Sequence, residues 1–202
     1  MNAAIPLTLL LLGGWPAPAP RTPTAREVAS RVAAEPPPLR APATAPPLDC
    51  PPGTARQGNA PPDGFEEYCE RLDELGRELK QGPARTFYDD GLLWTETTWE
   101  KNKRSGPYTE FHRGGARAIQ GTYLADGKEG TWTIWFPDGK IEERSSWRNN
   151  TPDGPFVSFW PGGLPKVVGR HCLGAQCGRW TTFDQDGKEV GVVDYGELRD
   201  KP

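Results

Sequence analysis

Four cysteines, Cys50, Cys69, Cys172 and Cys177, offer the most chemistry in this chain of 202 residues. Thiols can cross-link, hold a metal or act as nucleophiles, and each use needs particular neighbours. A metal site needs more ligands than the chain places nearby. Only two histidines exist, His112 and His171. His171 with Cys172 and Cys177 lacks both a C-x-x-C pair and a fourth ligand, so no metal is expected. Adjacent strand residues point to opposite faces, which separates His171 from Cys172 as base and nucleophile and keeps Glu142 and Glu143 from converging as an acid/base pair. There is no Gly-x-Ser-x-Gly nucleophile turn and no phosphate-cradling glycine loop. Cross-linking remains. The spacing predicts two local disulfides, Cys50 with Cys69 around a proline- and glycine-rich loop, and Cys172 with Cys177 around a turn. Neither enzymatic activity nor a cofactor is expected.

Disulfides persist in oxidising compartments, and the N-terminus carries a matching address. Residues 1–20 run from a short apolar stretch, Leu7-Thr8-Leu9-Leu10-Leu11-Leu12, through Gly13-Gly14 to Pro16-Ala17-Pro18-Ala19. That is the pattern of a secretory signal peptide, although no Lys or Arg precedes the apolar stretch. A secreted, periplasmic or cell-envelope location is expected. No apolar run reaches the length of a conventional transmembrane helix.

The elements that must position any site divide the chain unevenly. Residues 1–64 hold 15 of the 23 prolines, and residues 82–202 hold 17 of the 20 Phe, Trp and Tyr. Residues 21–63 read as a disordered Pro/Ala-rich spacer, with a short helical patch at 26–34, and residues 64–202 as one folded domain. Within 82–202, 16 Lys and Arg face 17 Asp and Glu without a basic stripe, which argues against nucleic acid as a partner.

Glycines organise the folded part. Gly82, Gly106, Gly130, Gly154 and Gly178 recur at a period of 24 residues, each followed by aromatics and a second glycine turn. The third copy reads Gly130-Thr-Trp132-Thr-Ile-Trp135-Phe136-Pro-Asp-Gly139. Asp90-Gly91, Asp138-Gly139 and Asp186-Gly187, with Gly114-Gly115 and Gly162-Gly163, fit two-residue hairpin turns, and further turns fall at the repeat boundaries, for example over 125–129. Five repeats, starting at residues 82, 106, 130, 154 and 178, and a partial repeat at 64–81 therefore predict an all-β fold, an elongated twisted antiparallel meander of β-hairpins. Because a lone hairpin is marginal in water, the repeats must bury surface against each other. One aromatic ladder is expected through Phe87, Phe111, Trp135, Phe159 and Phe183, and another through Trp99, Tyr123, Trp147 and Tyr195. His171 substitutes in the fourth repeat, and small residues at Thr97, Gly121, Ser145 and Gly169 leave room for facing rings.

The motif Gly-x-aromatic-x-x-aromatic-x-x-(Asp/Asn)-Gly with a late aromatic resembles the bacterial MORN repeat variant, the antitoxin-type MORN family, in the manner of a secreted myxobacterial-like member. The resemblance covers about residues 64–200. It implies an elongated antiparallel sheet used for protein or lipid contact, with no catalytic residues. His171 to Cys177 departs from the motif. Residues 65–80 admit two readings: Phe65, Tyr68, Leu72, Leu75 and Leu79 have helical spacing, while Leu75 to Gly82 aligns with Trp99 to Gly106 as the tail of a repeat. Strand plus turn is preferred, because a sheet end needs a partner for its edge.

The expected function is a non-enzymatic extracytoplasmic scaffold that binds a protein partner. Tyr88, Phe136 and Trp160 each follow a ladder position, and strand alternation points them to the opposite face as candidate contacts. A cell-wall or carbohydrate-binding module, holding envelope polysaccharide on aromatic faces, is the alternative. An antitoxin partner of a toxin–antitoxin pair is implied only by the resemblance.

Overall fold

The computed structural model describes residues 24–32 and 46–196. After a helix α1 (Ala25–Val32) come β1 (Ala55–Asn59), β2 (Glu66–Leu72), β3 (Glu78–Phe87), β4 (Leu93–Glu100), β5 (Lys103–Phe111) and β6 (Arg117–Leu124). The chain continues through β7 (Gly127–Trp135), β8 (Ile141–Arg148), β9 (Thr151–Phe159), β10 (Pro165–Cys172), β11 (Ala175–Phe183) and β12 (Glu189–Asp194). All twelve strands form one sheet in sequence order, with antiparallel neighbours throughout. The expected all-β meander is therefore the fold. Residues 66–87 form a strand, a turn and a strand, because β1 and β3 offer β2 hydrogen-bonding edges on both sides.

The boundary expected at residue 64 lies too late. β1 already belongs to the sheet, and Leu48 and Ala25 are buried, so parts of the proline-rich region join the folded body. Pro and Ala sequence does not build a core by itself, but it can lie on one that the repeats supply. The proposed signal peptide at 1–20 lies outside the described residues.

The two margins of the sheet use different turns. After β3, β5, β7, β9 and β11 the loop has one form: Phe136 N–H donates to Lys140 O at 2.8 Å, and Gly139 N–H donates to Phe136 O at 2.9 Å. Gly139 has φ of 86° while Asp138 keeps negative φ. This is a three-residue loop, a type I turn closed by a glycine bulge, and corrects the two-residue turn read from Asp-Gly and Gly-Gly. The two-residue turns with positive φ at both positions lie on the other margin, at Lys101-Asn102, Ala125-Asp126, Asn149-Asn150 and Leu173-Gly174.

The periodic glycines Gly82, Gly106, Gly130, Gly154 and Gly178 belong to neither turn. They lie inside β3, β5, β7, β9 and β11 with φ from 60° to 126°. Beside Gly130, Gln120 pairs with Thr133 and Thr122 with Glu129, so β7 carries two more residues than β6 over that stretch. Each glycine is thus a bulge, which bends its strand and raises the local twist. At Gly154 an added Cβ would lie 2.7 Å from the Ser146 Cβ.

Aromatics occupy both faces. On one, Phe87, Phe111, Trp135, Phe159 and Phe183 are buried beside the three-residue loops. On the other, Tyr123 meets Trp132 edge-on at 4.9 Å and Tyr108 at 5.4 Å. Phe156, His171 and Trp180 repeat that triangle, with His171 edge-on to Trp180 at 4.9 Å and to Phe156 at 5.5 Å. The imidazole therefore fills a tyrosine's place. Gly121 and Gly169 make the space: an added Cβ at either would fall 2.2 Å from the indole of Trp132 or Trp180. Cations cap the same rings. Lys80 lies 4.2 Å from the Tyr68 ring and 5.3 Å from Trp99, Arg104 lies 4.0 Å from Tyr123, and Lys128 lies 4.5 and 4.6 Å from Trp132 and Trp147. Tyr195 departs from the expected ladder. It is 52% exposed, because β12 is the last strand among the described residues and none of those residues forms a strand over its ring.

Candidate interaction surface

The cysteines do join as two disulfides, Cys50 with Cys69 at a Cα separation of 5.5 Å and Cys172 with Cys177 at 5.8 Å. The first fastens the proline-rich segment to β2. The second links β10 and β11 around Leu173-Gly174. Both thiols near His171 are consumed, and among the described residues no group of three His, Cys, Asp or Glu could hold a metal ion. Glu143 accepts from Ser145 Oγ at 3.1 Å while Glu142 is exposed, so the two carboxylates do not converge.

Tyr88, Phe136 and Trp160 are half-buried and open the three-residue loops. Two of the three rings reach the next hairpin. The Tyr88 hydroxyl donates to Phe111 O at 2.7 Å and the Trp160 indole N–H to Phe183 O at 3.1 Å. His112 Nε2 makes the equivalent bond to Trp135 O at 2.9 Å. Burial, helped by the Glu110 charge, raises the Tyr88 pKa above its ordinary value. Tyr88 and Trp160 thus tie one repeat to the next, while Phe136 is half-buried without such a bond among the described residues.

A second set of inter-repeat ties was missed. Asn102, Asp126 and Asn150 recur every 24 residues at the second turn position. The Asn150 N–H donates to Lys128 O at 3.1 Å, its Oδ1 accepts the Lys128 N–H at 2.8 Å, and its Nδ2 donates to Asp126 O at 3.3 Å. Asn102 and Asp126 bond likewise to Lys80 and Arg104. The signal was present in the register: small amide or carboxylate residues tolerate positive φ and bond back to the chain.

Opposite the ring triangles, the other face carries short polar and proline side chains. One groove of about 180 Å³ is lined by Pro83, Glu96, Thr97, Thr98, Pro107 and Thr109, with Arg85 and Leu48. A second, of about 520 Å³, is lined by Pro107, Gln120, Gly121, Thr122, Thr131 and Thr133, with Arg117 and Trp135. The first six lining residues of each correspond one to one at the 24-residue period. The first groove holds part of the proline-rich segment: Leu48 is buried in it, and Arg85 Nη1 donates to Pro46 O at 2.5 Å. In the second, Arg117 lies 5.2 Å from the Trp135 ring, and its buried Nε has no acceptor among the described residues.

A single meander of tied hairpins defines the class: a β-hairpin repeat protein that offers extended faces. Within it, residues 128–149, from β7 to the turn after β8, are similar to the MORN repeat variant family. Repeats of this family generally mediate protein or membrane interactions and are generally non-enzymatic. Comparison with curated proteins gives no match.

Proposed function

We propose that the protein is a non-enzymatic, extracytoplasmic interaction scaffold whose grooved face binds an extended segment of a protein partner. One observation carries the reading: the first groove already holds a proline-rich segment of this chain, with Leu48 buried and a backbone carbonyl held by Arg85. The same lining recurs one repeat on. Two disulfides fit an oxidising compartment. The carbohydrate reading is weaker, because Tyr123, Trp132 and Trp147 are already capped by the chain's own cations. No feature of the geometry favours the antitoxin reading. Immobilised protein is exposed to envelope protein and to envelope polysaccharide, with Thr122→Trp as the groove-filling control. Capture of protein that the control loses supports the scaffold. Polysaccharide capture by both forms would overturn it in favour of the carbohydrate module.

A further inference from the structure

The two grooves differ in what lines them. The first, of about 180 Å³, has Leu48 in its wall, while the second, of about 520 Å³, is lined by residues of β5, β6 and β7. The chain itself shows what the first groove recognises. Leu48 is buried between exposed Pro47 and Asp49, and the carbonyl two residues before it, that of Pro46, accepts from Arg85 Nη1. One leucine side chain and one proline carbonyl are held.

The second groove repeats the parts that hold them. Pro107, Thr122 and Thr133 stand where Pro83, Thr98 and Thr109 stand in the first. Gly121 takes the place of Thr97, and Trp135 adds an indole to the lining, so this groove is both wider and more apolar. A guanidinium is again present, although Arg117 is not the counterpart of Arg85. Its Nη1 is spent on Gln120 Oε1 at 2.7 Å, and its buried Nε meets no acceptor among the described residues. A buried donor without an acceptor is costly, and a carbonyl entering the groove removes that cost.

We propose that the second groove binds a proline-rich, leucine-bearing segment of a protein partner. The leucine lies against Trp135, Gly121 and Pro107, and a carbonyl that precedes it accepts from Arg117 Nε. Proline suits the donor. It has no N–H, and a polyproline conformation makes no internal hydrogen bonds, so its carbonyls stay free for outside donors. Its fixed φ also lowers the ordering cost of binding.

This ligand class rests on the scaffold reading but can fail separately from it. The full chain, isotopically labelled for amide NMR, is titrated with a capped synthetic peptide that copies residues 44–49, Thr-Ala-Pro-Pro-Leu-Asp. Shifts are expected within β6 and β7. Affinity is expected to fall about tenfold when aspartate replaces the peptide's leucine, the factor that loss of a buried leucine gives, and at least as much in Thr122→Trp. The altered peptide leaves the protein untouched, so recognition is tested even where Thr122→Trp disturbs folding. Absence of shifts in β6 and β7, shifts confined to β3 and β4, or equal binding of the two peptides would overturn the proposal. So would self-association in sedimentation that Thr122→Trp abolishes, because the occupant would then be a second copy of the chain. Envelope-protein capture that persists after such a failure would leave the scaffold reading standing.

Discussion

Replacing Gly121 by alanine tests the ring face with a single methyl group. Gly121 has ordinary negative-φ strand geometry, so alanine meets no backbone strain, yet its Cβ would lie 2.2, 2.3 and 2.7 Å from three atoms of the Trp132 indole. Real side chains do not approach so closely, and the flanking strands leave the ring as the part that moves. Trp132 is 3% exposed, touches Tyr108 at 5.7 Å and Tyr123 at 4.9 Å, and lies under Lys128 at 4.5 Å. Losing two ring pairs at about 0.5–1.5 kcal/mol each and a cation–π contact at about 0.5–1 kcal/mol puts the cost at about 1.5–4 kcal/mol. That range also suits overpacking of a close-packed site at about 1–3 kcal/mol. The assay is the denaturant midpoint followed by tryptophan fluorescence, with Gly191→Ala as control, since its nearest neighbour would be Thr182 Cβ at 3.8 Å. The control is expected within about 0.5 kcal/mol of the parent. Gly169→Ala, which meets Trp180 at the same 2.2 Å, must reproduce the loss. In a Trp132→Leu background, Gly121→Ala must cost much less, because the clash partner is gone. A Gly121→Ala protein as stable as the parent would refute the reasoning that small residues create the ring sites.

Trp135→Ala, at a 5% exposed position, is expected to cost about 3–5 kcal/mol and Tyr195→Ala, at 52% exposure, under about 1 kcal/mol, so equal losses of Tm would contradict the stacked array. Asn150→Gly keeps the positive φ but removes two side-chain hydrogen bonds, for a loss of about 1–2 kcal/mol, and Asn150→Ala adds about 1 kcal/mol of left-handed strain; an Asn150→Ala as stable as Asn150→Gly would count against the turn assignment. Backbone and then side-chain hydrogen bonds from Arg104 hold the Asp126 carboxyl below the ordinary carboxylate range. A depressed pKa contributes stability that is complete above about pH 4 and disappears as pH falls through the folded value; Asp126→Asn should therefore flatten the decline of Tm below pH 4, and an unaltered slope would exclude the contribution. Mass spectrometry of the unreduced protein should find no free thiol among Cys50, Cys69, Cys172 and Cys177, and four alkylatable thiols would contradict both bridges and the oxidising compartment.

The repeat was legible because glycine is tied to backbone conformation and aromatics to burial. A period shared by Gly130, Trp132, Trp135 and Gly139 therefore survives translation into structure. The meaning of each glycine was less legible. Gly130 and Gly139 both carry positive φ, but one is a bulge within β7 and the other closes a loop, a distinction made by which strand pairs opposite. Tyr88 and Trp160 were legible as neighbours of the ladder, but not in their reach: that each ring bonds a backbone carbonyl of the next repeat depends on where the neighbouring hairpin lies. The grooves were not legible at all, since Pro83 and Thr98, or Pro107 and Thr122, become neighbours only through cross-strand register.

By itself, the sequence determined the all-β class, the 24-residue unit and the two disulfide pairs, because each follows from local residue chemistry and spacing. Tertiary structure decided which face each ring occupies, which residues tie one hairpin to the next, and that the proline-rich segment lies against the sheet. These depend on register and bulges. A two-residue excess in one strand, set by how neighbouring strands hydrogen-bond, determines what stands opposite what, and no count along a single strand contains that information.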